Sequence, residues 1–457
     1  MLRRRHVLPL LTASAALCAG LLGACATGPS ASGLPPVVFV HGNGDSAALW
    51  TTTLWRFESA GWPRERLHAI QLPYPLSRDD DSVAQAGRSS TDDHMRFLAA
   101  EVAAVLQRTG ADKVALVGNS RGGNAIRNYI ASGGGDKLVT HAVLGGTPNH
   151  GVWSNPAFRP GSEFNGASPF LKGLNTRPDG NEVTPGPKWM TIRSDRNDKF
   201  AQPDGIWIGA RGQPTNVTFE GPALKGADLN AVLPGRDHRE VSFHADAFSL
   251  AATFIGSRDE RRGAIVPQPR VTLDGQVTGF TAAGPTNLPL VGATLEVYAV
   301  DVANGQRRGD ALLRKTIGAD GRWGPLATDS STPLEFVLTA PGFATTHIYR
   351  SPFLRSSDIV HLRPETLAAA DKDAVSVVSM SRPRGYLGLN RDRMSLDGVT
   401  ALVDVPPGVP GFAVTKRKLA AASDAGRAVA AELNGERIVG RAWPAAENRV
   451  VILEMHY

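Results

Sequence analysis

The chain has 457 residues, of which 42% are hydrophobic and 20% are charged. This composition excludes a largely disordered chain and a multi-span membrane protein, and the length predicts two or three domains. The formal net charge of +6 is modest for this length, and no block of lysine and arginine occurs beyond the N-terminus. We therefore expect no nucleic-acid partner.

The N-terminal residues have the pattern of an export signal. Three arginines at positions 3 to 5 precede an apolar run from Val7 to Leu22, and small residues then lead to Cys25. This order is typical of a cleaved secretory signal. The ending of the run, Leu-Gly-Ala-Cys at 22–25, resembles the lipobox of bacterial lipoproteins. It implies a signal peptide of residues 1–24, lipidation of Cys25 and an anchor in the cell envelope, at its outer membrane. The alternative is a simple secretory signal, which would make this a secreted protein.

Residues 25–35 are small and polar, and we predict a tether that precedes the first folded domain. Cys18 is the only cysteine besides Cys25, and it lies within the signal. The mature chain is therefore expected to contain neither a disulfide nor a metal site built on cysteine and histidine.

Residues 36–262 are predicted to form an α/β domain, with a mostly parallel sheet flanked by helices. Continuous apolar runs, typical of strands buried on both faces, occur at 36–40, 113–117, 142–146 and 188–192. Helices are predicted at 92–108, from just after Ser120 to 132, and at 246–255, with Thr91 as the N-cap of the first and Gly110 as its end. The segment 151–188 is rich in Gly, Pro and Asn, and it is predicted to be irregular and a candidate lid over a cleft.

After a linker that contains Pro267 and Pro269, the pattern changes to short strands separated by turns. Strands are predicted at 270–277, 293–300, 312–317, 334–340 and 359–362, with a helical connector at 364–372. Residues 268–363 are therefore predicted to form a β-sandwich, and residues 373–457 a second β domain or an extension of the first. The stretch from Gly275 to Phe343 resembles the carboxypeptidase-regulatory or transthyretin-like sandwich.

The main chemical signal is Gly-Asn-Ser-Arg-Gly at residues 118–122. It follows a predicted strand and opens a predicted helix, as a nucleophile elbow does, and a strained turn at Ser120 would need glycine two residues before and after it. The motif alone is common, and a glycine-rich turn with a capping serine is the alternative. However, His-Gly-Asn-Gly at 41–44 directly follows the first strand, where an oxyanion loop is expected. The elbow is therefore favoured, and the backbone N–H groups of Asn43 and Arg121 are the predicted oxyanion donors.

A serine nucleophile needs a base and an acid that orients the base, and in this fold the chain order is Ser, acid, His. Only His238 and His244 have suitable positions; His238 lies in a loop and is favoured, whereas His244 is expected in the N-terminal turn of the last helix. The strand that ends at 192 is followed by Asp195 and Asp198. Asp198 is favoured because it lies two residues before the apolar Phe200, and Asp195 remains the alternative.

Residues 36–256 resemble a bacterial lipase or esterase of the α/β-hydrolase superfamily. The resemblance rests on the loop at 41–44, the elbow at 118–122 and Gly-Gly-Thr-Pro-Asn-His-Gly at 145–151, which is similar to the Gly-Thr-Pro-His-x-Gly stretch of lipases. It implies a serine carboxylic-ester hydrolase that acts through an acyl-enzyme on an acyl or lipid ester, without a cofactor. The charged Arg121 departs from the usual pattern and leaves the polarity of the acyl pocket open.

Two other functions remain open. An acyltransferase would share Ser120, Asp198 and His238 and would differ in whether an alcohol or water releases the acyl group. A non-catalytic, surface-tethered binding protein would keep the scaffold alone, but the presence of all three side chains disfavours it. Four aromatic residues are candidates for an acyl site, with the protein core as the alternative: Trp50, Trp55, Trp153 and Phe170.

Overall fold

The structure is a computed structural model that describes residues 33–257 and 263–457. The predicted signal peptide, Cys25 and most of the predicted tether lie outside the described residues. None of the helices in the described ranges is long and apolar enough to cross a membrane.

A parallel sheet occupies the centre of the first region. Its strands are β1 (Val37–Val40), β2 (Leu67–Ala69), β3 (Val114–Asn119), β4 (Val139–Gly145), β5 (Lys188–Ser194) and β6 (Leu229–Leu233). The six strands lie in the order β2-β1-β3-β4-β5-β6, and all neighbouring pairs are parallel. The strand order reverses between β1 and β3. From this point, β2 lies on one side, and β4, β5 and β6 follow on the other.

Helices cover both faces of this sheet. They are α1 (Thr51–Ser59), α2 (Thr91–Thr109), α3 (Arg121–Ser132), α4 (Gly135–Leu138), α5 (Pro169–Asn175), α6 (Glu240–Phe243) and α7 (Ala245–Ile255). Because strand side chains alternate between faces, Val37 and Phe39 pack with α1 and α7, whereas Val38 and Val40 pack with α2 and α3. The predicted α/β-hydrolase class, with a mostly parallel sheet flanked by helices, is confirmed.

The prediction that Thr91 caps α2 is wrong by one residue. The Ser90 hydroxyl accepts a hydrogen bond from the Asp93 N–H at 3.0 Å, and the Asp93 carboxylate accepts one from the Ser90 N–H at 2.9 Å. These two bonds form a capping box, which satisfies two N–H groups that the helix leaves free. The predicted end at Gly110 is confirmed, because this residue adopts a left-handed conformation with φ 63°.

Several elements of this region escaped prediction. Strand β2 has three residues, and the edge strand β6 is largely exposed, so neither presents a buried apolar run. Helix α1 begins with three threonines, which are poor helix formers. Helix α5 lies inside the segment predicted to be irregular, where Ser168 caps it and Pro169 occupies its first turn.

The C-terminal region is all-β, as predicted. Its strands are β7 (Arg270–Leu273), β8 (Thr278–Thr281), β9 (Gly284–Pro289), β10 (Thr294–Ala299), β11 (Leu313–Thr316), β12 (Leu326–Asp329), β13 (Leu334–Thr339), β14 (Thr345–Arg350), β15 (Ser376–Ser381), β16 (Met394–Leu396), β17 (Val414–Leu419), β18 (Ala428–Leu433), β19 (Glu436–Arg441) and β20 (Arg449–Glu454). Seven of them form one sheet in the order β11-β10-β13-β14-β20-β15-β17. Strand β20 lies between β14 and β15 and is parallel to both, so strands from the ranges 268–363 and 373–457 share this sheet.

Three predictions for this region are wrong in detail. The predicted strand 270–277 ends at Leu273, and residues 359–362 contribute an isolated bridge between Val277 and Leu362 instead of a strand. The predicted helical connector 364–372 contains only a short 3-10 turn, Ala369–Asp371. The backbone of Glu365 instead accepts a hydrogen bond from the Ala344 N–H and donates one to the Thr346 hydroxyl, which holds this stretch extended beside β14. The resemblance to a transthyretin-like sandwich stays a prediction.

The two regions share part of a core. Trp55 of α1 is 1% exposed and packs in the apolar cluster of the C-terminal region, with its ring centroid 6.2 Å from that of Phe353. Its indole N–H donates to the carbonyl of Ser356 at 3.1 Å. The side chain of an α/β helix is thus buried among strands of the β region, which fixes one region against the other.

Candidate active site

The loops that follow β1 and β3 meet at the carboxyl edge of the parallel sheet. These two strands are neighbours at the point where the strand order reverses, and such a point leaves a crevice between the diverging connections. Asn43 follows β1 and Ser120 follows β3. The topology therefore places both residues at the position where ligands bind in open α/β sheets.

Ser120 lies at a sharp turn between β3 and α3. Its backbone has φ 53° and ψ −125°, a strained combination for a residue with a side chain. Although Ser120 occupies the N-cap position of α3, its hydroxyl makes no capping hydrogen bond. This geometry is that of a nucleophile elbow and not that of a capping serine.

The glycine two residues after Ser120 sits against the neighbouring strand. A Cβ atom on Gly122 would lie 2.3 Å from the Val40 carbonyl oxygen and 2.7 Å from that of His41. Because backbone atoms cannot move aside cheaply, α3 can approach the sheet this closely only with glycine here.

Gly122→Ala is therefore expected to lower the free energy of unfolding by about 3 kcal/mol. Gly173→Ala is the matched control, because Gly173 is exposed within α5 and a Cβ atom added there would meet no other atom within 4 Å. The control should raise stability by about 0.5–1 kcal/mol through better helix propensity. Urea unfolding followed by circular dichroism measures both changes, and equal midpoints for Gly122→Ala and the wild type would contradict the close approach.

The predicted acid and the predicted base meet across two loops. Asp198 follows β5, and His238 lies between β6 and α6. The His238 Nδ1 atom lies 2.8 Å from Asp198 Oδ1, and both side chains are almost fully buried. In the tautomer with a proton on Nδ1, the imidazole donates to the carboxylate and leaves Nε2 free to accept a proton.

Asp195, the alternative acid, has a different role. Its Oδ1 atom accepts hydrogen bonds from the backbone N–H groups of Arg196 and Gly235 and from the Asn197 amide. Although partial burial opposes the effect, these donors lower the pKa of Asp195. The carboxylate therefore organises the loop, and the structure pairs Asp198 with His238.

The surroundings of His238 connect it to the elbow. The Asn119 amide donates to the His238 carbonyl oxygen at 3.1 Å, and Asn119 is the residue directly before Ser120. The Phe200 ring packs edge-on against the imidazole, with the two ring centroids 4.7 Å apart. The backbone N–H of Phe200 donates to Asp198 Oδ1 at 2.8 Å. His244, the alternative base, instead caps α7 by accepting a hydrogen bond from the Asp246 N–H at 3.2 Å.

The predicted oxyanion donors flank Ser120. None of the hydrogen bonds among the described residues uses the backbone N–H of Asn43 or Arg121 as donor. The Asn43 side chain is held by an N–H of Ser77 at 2.8 Å. His41 is buried and shapes this loop, since its Nε2 accepts from the Leu72 N–H and its Nδ1 donates to the Gly42 carbonyl. Burial lowers the pKa of His41, which suits a neutral structural histidine.

The charged side chain of Arg121 does not enter the cleft. It is fully buried, with its Nε atom 2.7 Å from Glu163 Oε1 and its terminal nitrogens bonded to Ser89 and the Pro75 carbonyl. Burial raises the pKa of Glu163, which the guanidinium opposes. The ion pair thus connects the elbow to the loop that contains Glu163, and Arg121 is not among the residues that line the cavity beside Ser120.

A cavity of about 300 Å³ opens beside Ser120. Of the four predicted aromatic candidates, Trp153 lines it, whereas Trp50 and Trp55 are buried in the cores and Phe170 is not among the lining residues. Sequence analysis missed three further aromatic residues of its wall: Phe164, Phe200 and Trp207. An Ile-Trp-Ile run at 206–208 within a loop rich in glycine and proline was the available signal for the last of these.

A second groove, of about 630 Å³, lies where Arg64 faces Asp358, and its lining includes neither Ser120 nor His238. Within residues 33–257 and 263–457, no group of three His, Cys, Asp or Glu side chains is placed to hold a metal ion.

The fold and the site define the class of protein, an α/β hydrolase with a serine at the elbow. Residues 35–153 match the family model of lipase class 2, and residues 269–367 match that of the lipase C-terminal domain. Ser120 and both oxyanion candidates lie in the first match, whereas Asp198 and His238 lie in neither. Each model matches about a quarter of the chain, the first within the α/β region and the second within the all-β region.

Individual relatives are more distant. A non-heme haloperoxidase of Rhodococcus erythropolis is 29% identical over 137 residues, which are 29% of this chain, and the chain spans only 44% of that protein's length. A Bacillus licheniformis lipase in its mature form has 20% identity and a TM-score of 0.35, over 49% of this chain and 92% of that one. An esterase of a Rhodococcus species has 19% identity and a TM-score of 0.30, over 50% and 92%.

Proposed function

We propose that the protein hydrolyses carboxylic esters through Ser120, His238 and Asp198. The observation that carries this proposal is the 2.8 Å contact between His238 and Asp198. These residues are 40 positions apart, on loops that follow different strands, and the His238 backbone is bonded to the elbow residue Asn119. Support also comes from the strained backbone of Ser120 and the cavity beside it.

In the proposed reaction, the Ser120 Oγ atom attacks the ester carbonyl carbon while His238 Nε2 takes the hydroxyl proton. The carbonyl oxygen becomes an oxyanion, which the N–H groups of Asn43 and Arg121 stabilise. The intermediate collapses, the C–O bond to the alcohol breaks, and His238 returns the proton to the leaving alcohol. In the second half, His238 takes a proton from a water molecule, and the water oxygen attacks the acyl carbon. The bond to Ser120 Oγ then breaks, His238 returns the proton to Oγ, and the carboxylic acid is released. Asp198 holds the imidazole tautomer and stabilises its positive charge, and no cofactor takes part.

The proposed substrate is an ester with an apolar acyl chain. Trp153, Phe164, Phe200 and Val152 supply an apolar wall to the cavity, and the Arg121 charge is turned away from it. The cavity is also lined by polar and charged residues, among them Asn43, Ser77, Arg78 and Arg159, and we assign the alcohol portion of the ester to this part of the lining. As part of the same proposal, residues 1–25 support export and a lipid anchor at Cys25.

Two measurements on the mature protein test this function. Initial rates on 4-nitrophenyl esters of increasing acyl length should give kcat/KM values that rise until the chain fills the cavity and then level off or fall. A fluorophosphonate should form a bond from phosphorus to Ser120 Oγ with loss of fluoride, detected by mass spectrometry of the peptide. The protein unfolded in urea is the control and should not be labelled. A folded protein that neither hydrolyses any ester nor reacts with the phosphonate would refute the proposal.

A further inference from the structure

One loop of the β region packs directly against the base loop of the site. We call residues 382–391, between β15 and β16, the clamp loop. Asp237, the residue before His238, is fully buried, and its Oδ2 atom accepts a hydrogen bond from the Tyr386 N–H at 2.7 Å. The guanidinium groups of Arg382 and Arg391 lie 3.4 Å and 3.3 Å from the same oxygen.

The same two arginines bind a second buried carboxylate on the other side of His238. Arg382 donates to Glu240 Oε1 at 2.6 Å, and Arg391 donates to Glu240 Oε2 at 2.6 Å. Although burial opposes the effect, the two guanidinium groups lower the pKa of Glu240. Asp237 and Glu240 also bind each other's backbone N–H groups at 2.9 Å. His238 is therefore bracketed by two carboxylates that both depend on the clamp loop for their counter-charges.

The clamp loop also contacts the loop that carries the acid. The Tyr386 ring lies 4.0 Å from the Nζ atom of Lys199, the residue after Asp198, and 5.0 Å from the guanidinium of Arg239, the residue after His238. Lys199 also donates to the carbonyl of Gly411 in the β region at 2.8 Å. One aromatic ring thus lies between the direct neighbours of both catalytic side chains, with a cation on each loop attracted to it.

Burial makes this arrangement sensitive to the loss of any one charge. Asp237, Glu240 and Arg382 are each at most 3% exposed, so none of them can turn to water for compensation. A buried charge that loses its partner is strongly destabilised, and nearby groups move to compensate it. Because Asp237 adjoins His238, such a movement would shift the imidazole relative to Asp198 and Ser120.

We propose that Arg382, Tyr386 and Arg391 are positioning residues that hold His238 in register with Asp198, so that the β region completes the active site. This inference rests on the proposed function. It assigns to the C-terminal region a role in the chemical step instead of that of a spacer or a surface-binding module.

Arg391 is the better residue for the test. Its side chain is 19% exposed, whereas that of Arg382 is 4% exposed, so we expect its replacement to destabilise the fold less. In Arg391→Gln, the fraction of protein molecules that react with the fluorophosphonate should be nearly the same as in the wild type. The kcat per titrated site should fall roughly 10- to 100-fold with little change in KM, because the base is misplaced while the cavity is intact. Arg391→Lys should lose less, since it keeps the charge but cannot bridge two carboxylates.

Arg427→Gln is the matched control. Arg427 also binds two carboxylates of the β region, Asp397 and Asp424, and it donates to the Ala428 carbonyl of the same region. Its replacement should leave kcat per site at the wild-type value. A second measurement needs no turnover: the hydrogen-bonded Nδ1–H proton of His238, observed by proton NMR, should exchange with solvent faster in Arg391→Gln than in Arg427→Gln.

The outcomes separate the two proposals. If Arg391→Gln lowers only the number of titratable sites, with kcat per site and proton exchange unchanged, the clamp loop acts on folding alone and the inference is overturned. An equal loss of kcat per site in Arg427→Gln would overturn it as well. A wild type with no ester hydrolysis and no labelling refutes the proposed function instead, and the proton exchange then decides by itself whether the clamp loop positions His238.

Discussion

Replacing Ser120 with alanine is expected to lower kcat for ester hydrolysis by about 10⁶-fold. The Oγ atom forms the covalent bond to the acyl group, and neither His238 nor a bound water can take over that step at a comparable rate. A residual rate about 10³- to 10⁴-fold above that in water should remain, because the oxyanion donors and the binding cavity are still present.

Folding should be almost unaffected by this change. The Ser120 hydroxyl makes no capping bond to α3. Its removal therefore breaks no hydrogen bond to the N–H groups at the start of this helix. Ser249→Ala is the matched control, because the Ser249 hydroxyl bonds to the Ala245 carbonyl on the outer helix α7. Steady-state kinetics beside thermal unfolding check both variants. Retention of more than a few per cent of wild-type kcat in Ser120→Ala would assign the nucleophile to another residue.

Replacing Asp198 with asparagine is expected to lower kcat by about 10⁴-fold. The asparagine would occupy the same space, and its oxygen would still accept the Phe200 N–H and face His238 Nδ1. Because the amide carries no negative charge, it cannot stabilise the imidazolium that forms when His238 takes the Ser120 proton. KM should change little, because Asp198 is not among the residues that line the cavity.

Asp195→Asn is the comparison that decides between the two acids. Asp195 Oδ1 accepts backbone N–H groups, and an asparagine oxygen can still accept them. We therefore expect kcat close to that of the wild type, measured in the same assay and under conditions where both proteins are folded. The reverse ranking, with the larger loss in Asp195→Asn, would transfer the role of the acid to Asp195.

The elbow and the core strands were predictable because their signals are local. A buried parallel strand reads as a continuous apolar run, as at Val37–Val40, whichever strands later lie beside it. Likewise, the strained turn at Ser120 has a five-residue motif, although the need for glycine at position 122 comes from the approach of β1 and the loop after it. Strands without such a signal were missed, as the exposed edge strand β6 shows.

The choice between acids was not decidable in the same way. Asp195 and Asp198 are three residues apart in one polar loop, and both precede the cavity residue Phe200. What separates them is the direction of each side chain, which depends on where the His238 loop packs. The proximity of Phe200 favoured Asp198 for a sound reason, since the Phe200 ring contacts His238 in the structure.

The sequence by itself determined the α/β class, the strained turn at Ser120 and the all-β character of the C-terminal region, because each follows from periodicity or from local backbone geometry. Only the tertiary structure decided that Asp198 faces His238, that the Arg121 charge is neutralised by Glu163, and that β20 joins the strands of both C-terminal ranges. The contacts of the clamp loop were likewise decided only by the tertiary structure. They join residues about 150 positions apart through buried charges, and no local pattern records which charge will meet which.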